Sequence, residues 1–94
     1  MKDFKVYVVW GPDAQWGDGV GVKGYFASAS QARSYIASEK RDLRSEYGPR
    51  SEWPWPYNEV DYAIDVVWAS GLDVNLSKYA TKDEVLDALN EALY

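Results

Sequence analysis

The chain has 94 residues, 47% hydrophobic and 16% aromatic, with a net charge of −5; that is one domain's length with enough apolar material for a core. It contains no Cys and no His, which excludes disulfide staples, thiol nucleophiles, thiolate or imidazole metal sites and the commonest general base. Residues 1–50 carry eight Lys and Arg against six Asp and Glu, residues 51–94 two against nine; this acidic second half argues against binding nucleic acid through bulk charge, and it serves either solubility or contact with a basic partner or a nucleic-acid groove.

Residues 3–10, "DFKVYVVW", predict a strand with Phe4, Val6, Val8 and Trp10 on one face. The apolar run Val6 to Trp10 is too short for a membrane span or a signal-peptide core, so a cytoplasmic protein without membrane contact is expected. Residues 11–19, "GPDAQWGDG", form a loop rich in turn residues and hold Trp16. Residues 20–27 predict a second strand, antiparallel to the first, with Gly21 and Gly24 marking a bulge.

Ser28 and Gln31 make a capping box that opens a helix. Ala32, Tyr35, Ile36, Leu43 and Tyr47 repeat at helical spacing, and Gly48-Pro49 ends it. Residues 60–69 predict a third strand, with Tyr62, Ile64, Val66 and Trp68 on one face. Residues 72–77, "LDVNLS", alternate as a fourth strand would. A three-residue loop at Ala69-Ser70-Gly71 puts Leu72, Val74 and Leu76 on the apolar face of the third strand. Thr81 with Glu84 opens the last helix, whose stripe is Val85, Ala88, Leu89, Ala92 and Leu93. The order ββαββα predicts one α+β domain over residues 1–94. Its expected form is a two-layer sandwich, a four-stranded mainly antiparallel sheet with two helices on one face.

The motifs are sparse. "GVGVKG", residues 19–24, fits G-x-G-x-x-G, but it enters a predicted strand and no βαβ unit follows. The acids Asp61, Asp65, Asp73, Asp83, Glu84 and Asp87 have no calcium-loop spacing and read as a solvated face. Lys40, Arg41, Arg44 and Arg50 are interrupted by Asp42 and Glu46, as on a salt-laced helix. No catalytic residue, metal or cofactor is expected.

The informative stretch is "EWPWPY", residues 52–57. Its prolines stiffen the chain; the loop either closes one end of the sandwich with its rings in the core or offers them as a platform, and one Trp in and one out is expected. Aromatic rings on a stiff segment lose little entropy on binding and make good anchors. The predicted partner surface is therefore Trp16, Trp53, Trp55 and Tyr57, with Glu59, Asp61, Asp65 and Asp73 meeting a basic or nucleic-acid-binding surface of a protein. A small-ligand or nucleotide module framed by the Trp and Gly loops is the alternative. A carboxylate-dependent enzyme is the third reading.

The opening "KVYVVWG" followed by "KGYFASASQARSYI" resembles a group of small bacterial and phage proteins of unknown function, over about the first forty residues. The "WPWPY" loop and the acidic half depart from that pattern. In size and acidity the chain is similar to phage-encoded inhibitors of host defence, the anti-CRISPR proteins among them. That likeness implies a steric inhibitor of a nucleic-acid-handling host complex and carries over no functional residue.

Overall fold

The computed structural model describes residues 1–93. Strand β1 runs over Lys5–Pro12, β2 over Val20–Phe26 and β3 over Ala63–Trp68; helix α1 spans Ala29–Tyr47 and α2 spans Lys82–Glu91. One-turn 3-10 helices stand at Arg50–Glu52, Ala69–Gly71 and Leu76–Lys78. The sheet has three strands in the order β2-β1-β3, both pairs antiparallel.

The expected fourth strand is absent among the described residues, and this corrects the four-stranded sheet. Leu72, Val74 and Leu76 do turn toward the core, as their alternation demands. The chain bends away from β3 at Ala69–Gly71 and folds over the end of α2, with Val74 N–H bonded to Leu72 C=O at 2.8 Å. Asn75 then caps the turn at Leu76–Lys78 through its side chain. A two-residue period reports extended, half-buried backbone; it does not report a neighbouring strand to bond to.

The two-layer arrangement also gives way. Val6 and Val8 gather with Phe4, Ala69, Val85, Leu86 and Leu89 in one core beneath α2. Residues on the other side of β1 meet α1 instead. Tyr7 pairs with Phe26, and the Phe26 ring stands 5.2 Å from that of Tyr35 on α1. The helices therefore cover opposite faces of the sheet, with β1 buried between them. This explains why β1 is apolar on both sides. Val6, Val9 and Val85 are fully buried, each worth ~1.5–3 kcal/mol.

The local signals held where chemistry was specific. Ser28 accepts from Gln31 N–H and Thr81 from Glu84 N–H. The reciprocal bonds reach one residue further out than a standard box: Gln31 Oε1 accepts from Ala27 N–H and Glu84 Oε2 from Ala80 N–H. Gly48 ends α1 at φ 86°, its N–H donating to Arg44 C=O, a conformation glycine adopts without steric cost. The β1–β2 ladder slips between Val9, paired with Gly24, and Trp10, paired with Val22. Lys23 is the extra residue of a bulge, beside the glycine that predicted it.

Candidate functional site

The loop after β1 is tied to itself. Asp13 N–H donates to Gly19 C=O at 2.8 Å and Gly19 N–H to Trp16 C=O at 3.0 Å. Asp13 Oδ1 accepts from Gln15 N–H and Asp18 Oδ1 from Val20 N–H, the Asx turns expected of these residues. With its backbone bonded inward, the loop presents Trp16 outward, 55% exposed.

The proline-rich segment docks on the tip of this hairpin. Gly19 has φ 75°, and a Cβ there would lie 2.6 Å from Pro56 Cβ and 3.2 Å from the Trp55 ring. Only glycine fits both the backbone angle and the space. Pro56 is fully buried after a cis peptide bond from Trp55. Trp53 lies inward, 6% exposed, and Trp55 is 49% exposed beside the loop; an extended run would set both on one side, but here the chain turns, with Tyr57 N–H bonded to Pro54 C=O at 2.8 Å. Trp53 Nε1 donates to Gly48 C=O at 3.0 Å, so this indole closes the end of α1.

Between the loop, β2 and the end of α2 lies a groove of ≈ 770 Å³. Trp10, Trp16, Val20, Val22 and Tyr25 supply its apolar walls, and Asp13 and Asp18 its charge; no Lys or Arg lines it. Trp10 is 40% exposed. Two indoles, a phenol and two carboxylates without a resident cation suit a Lys or Arg side chain, which gains from ring faces and carboxylates together.

The predicted site residues do not form one surface. Trp16 lines the groove and Trp55 flanks its loop. Trp53 is core. Tyr57 is half-buried in a smaller cleft of ≈ 190 Å³ with Lys40, Arg44, Arg50 and Tyr62. Burial, and then Glu39, pushes the Tyr57 phenol up, and burial drives that of Tyr62 up to about 12. Asp61 is exposed and paired with Arg50 at 2.8 Å, an ion pair worth little in water. Glu59, Asp65 and Asp73 are exposed and none lines the groove. The groove's own acids, Asp13 and Asp18, come from the half of the sequence that is not acidic.

Trp10, Tyr25, Asp13 and Asp18 escaped the sequence reading. Trp10 continues the Phe4–Val6–Val8 face and so read as core. Its position directly before Gly11-Pro12 was the available signal, since a ring at a strand's end next to a long loop outruns the helix that covers its neighbours. The "GVGVKG" segment runs from the loop into β2 and does not itself open a helix, so its glycines lack the helix N-terminus of a phosphate cradle. Among the described residues no group of three or more Asp or Glu side chains is placed to hold a metal ion, and no helix is long and apolar enough to cross a membrane.

No protein-family model matches the chain, and neither a curated protein nor a solved structure matches it.

Proposed function

We propose that the chain is a non-enzymatic protein-binding domain, of the kind phages use as inhibitors, whose partner presents a basic surface to the groove beside the β1–β2 loop. The observation that carries this reading is the exposure of Trp10 and Trp16 in one groove with Asp13 and Asp18 and no basic side chain. Exposed indoles on a bonded loop are typical interface anchors, and a small domain seldom spends them on solvent. The carboxylates steer a basic partner, such as a nucleic-acid-handling complex, and repel phosphate. Inhibition by this route is steric. A small cationic ligand is the second reading, because the groove's volume falls within the ~300–1,000 Å³ of small-molecule sites.

Affinity capture from nuclease-treated bacterial lysate tests it, comparing wild type with Trp16→Ala/Trp55→Ala. Both rings are exposed, so circular dichroism should show an unchanged fold. A protein retained by wild type, released by raised salt and lost by the variant supports the reading. Retention of nothing, or equal retention by both, overturns it, and a cationic small-molecule screen then examines the second reading.

A further inference from the structure

A three-stranded sheet has two edges, and this one treats them differently. At the β2 edge, Tyr25 pairs with Val8, while the neighbouring pairs Tyr7–Phe26 and Val9–Gly24 carry the ladder. Tyr25 therefore turns its backbone groups outward. Asn90 of α2 meets both: its Oδ1 accepts from Tyr25 N–H at 2.8 Å and its Nδ2 donates to Tyr25 C=O at 3.0 Å. A side-chain amide takes the place of a further strand and closes that edge.

The β3 edge has no such stopper. Ala69 N–H donates to Phe4 C=O at 2.8 Å, and the unbroken register fixes the phase along the strand. Val67 and Asp65 turn their backbone groups toward β1; Trp68, Val66 and Ile64 turn theirs away. Among the described residues, no hydrogen bond from another segment reaches the outward N–H groups of these three. Their side chains share the α1 face of the sheet, beyond the helix's cover: Val66 is 48% and Trp68 54% exposed. β3 itself holds no Lys or Pro and its single charge is Asp65; the nearest cation is Lys5 of β1, whose Nζ stands 5.7 Å from the Trp68 ring centre.

We infer that β3 pairs with β3 of a second copy, antiparallel about a two-fold axis through Val66, to give a continuous six-stranded sheet. In this register each residue of Ile64-Asp65-Val66-Val67-Trp68 finds its partner within the same segment of the second copy. Val66 faces Val66 and exchanges both of its bonds. Trp68 N–H meets the second copy's Ile64 C=O, and the Trp68 ring lies over that isoleucine on the apolar face. Asp65 stands opposite Val67. Moving the axis to Asp65 sets carboxylate directly against carboxylate and loses the Trp68–Ile64 pairs; moving it to Val67 keeps the faces matched but sets Asp65 and Ile64 opposite Ala69 and Ser70, past the end of β3, and a pairing offset by a single residue turns the two faces against each other. A second copy is favoured over an unrelated strand because the edge is its own match in bonds and in side chains, as an isologous contact requires. The groove lies on the β1–β2 side and stays free. Each copy carries −5, so screening by salt tightens this contact, the opposite of its effect on a basic partner at the groove.

Sedimentation velocity on the whole chain tests the inference. At tens of micromolar, wild type should show twice the 10.7 kDa chain mass, and a larger dimer fraction at high salt. Val66→Lys sets like charges together on the axis, and Val66→Pro removes an N–H that β1 does not use; each should sediment as a monomer. Amide exchange on wild type gives a reading that needs no variant. Protection of Ile64, Val66 and Trp68 should rise with protein concentration, while that of Asp65 and Val67 stays constant. A wild type that remains monomeric at high concentration, a dimer that survives both substitutions, or exchange at Val66 independent of concentration would each overturn it.

Discussion

The carboxylate of Asp3 holds Ser70 by two bonds: Oδ2 accepts from the Ser70 hydroxyl at 2.5 Å and Oδ1 from its N–H at 3.0 Å. Oδ1 also accepts from Phe4 N–H at 2.9 Å. This one side chain fastens the segment leading into β1 to the turn that follows β3. The Ser70 hydroxyl is the main reason that the Asp3 carboxyl titrates below its usual 3.8.

A carboxyl whose folded pKa is depressed contributes stability above its unfolded pKa, and that contribution fades as pH falls through the folded value. The expected signature is an acid limb below about pH 4 in the stability profile, reduced in Asp3→Asn and in Ser70→Ala. Because the two residues act as one contact, the double variant should lose less than the sum of the single losses. Urea titrations at pH 3 to 7 on the four proteins check this; full additivity would mean that the contact is idle.

Asn90→Ala removes both bonds to Tyr25 and leaves a half-buried N–H and C=O at the edge of β2. The expected loss is about 1–3 kcal/mol, read from chemical denaturation. Asn90→Asp keeps an acceptor for Tyr25 N–H but sets a carboxylate oxygen against Tyr25 C=O, so it should recover little.

Gly19→Ala meets a positive φ and Pro56 Cβ at 2.6 Å together. It should lower the melting temperature clearly, by a cost of at least ~1 kcal/mol. Gly17→Ala in the same loop finds open space within 4 Å and should be neutral or stabilising by up to about 1 kcal/mol. Equal melting temperatures for the two variants would contradict the docking of Pro56 on the hairpin tip.

Trp53→Ala should cost about 3–5 kcal/mol, the usual loss for a buried large ring, and leave the Gly48 carbonyl short of a donor. Trp55→Ala should stay within about 1 kcal/mol, because half of that ring already faces water. Folding stability thus separates two residues that look equivalent in "EWPWPY".

Burial holds the Tyr62 phenol neutral to about pH 12. A group with a raised folded pKa lends stability that is whole below its unfolded value, near 10, and is lost as pH climbs through the folded value. Stability should therefore fall between pH 10 and 12 and fall less in Tyr62→Phe. Phenolate absorbance should show wild type ionising fewer tyrosines at pH 11 in the native state than in urea.

The sequence was most legible where a local rule has a single outcome. Ser28 and Thr81 cap helices because their hydroxyls have no better acceptor role, and Gly48 stops α1 because a left-handed residue is needed there. Leu72, Val74 and Leu76 were correctly read as inward-facing and wrongly read as a strand. Burial depends on each residue's own character, whereas a ladder depends on the turn at Ala69–Gly71 aiming the chain back along β3, which it does not do. The placement of the helices failed for a related reason. Both faces of β1 are apolar, which marks a central strand; the pattern "KVYVVW" did not by itself separate helices on one face, as expected, from one helix on each. Trp16 and Trp55 were recoverable from their loops, whereas the acids of the groove were hidden by a regional charge count that pointed to residues 51–94.

The five tryptophans divide the molecule's light. Trp53 alone is enclosed, and Trp10, Trp16, Trp55 and Trp68 are each 40% exposed or more. The native protein should therefore emit much as indole in water does, and unfolding should shift its spectrum little. A variant that keeps only Trp53 becomes a clean reporter of the fold, one that keeps only Trp16 a reporter of whatever enters the groove, and one that keeps only Trp68 a reporter of the β3 edge. Three separate events at three places in a chain this small can be followed with the fluorophores it already carries.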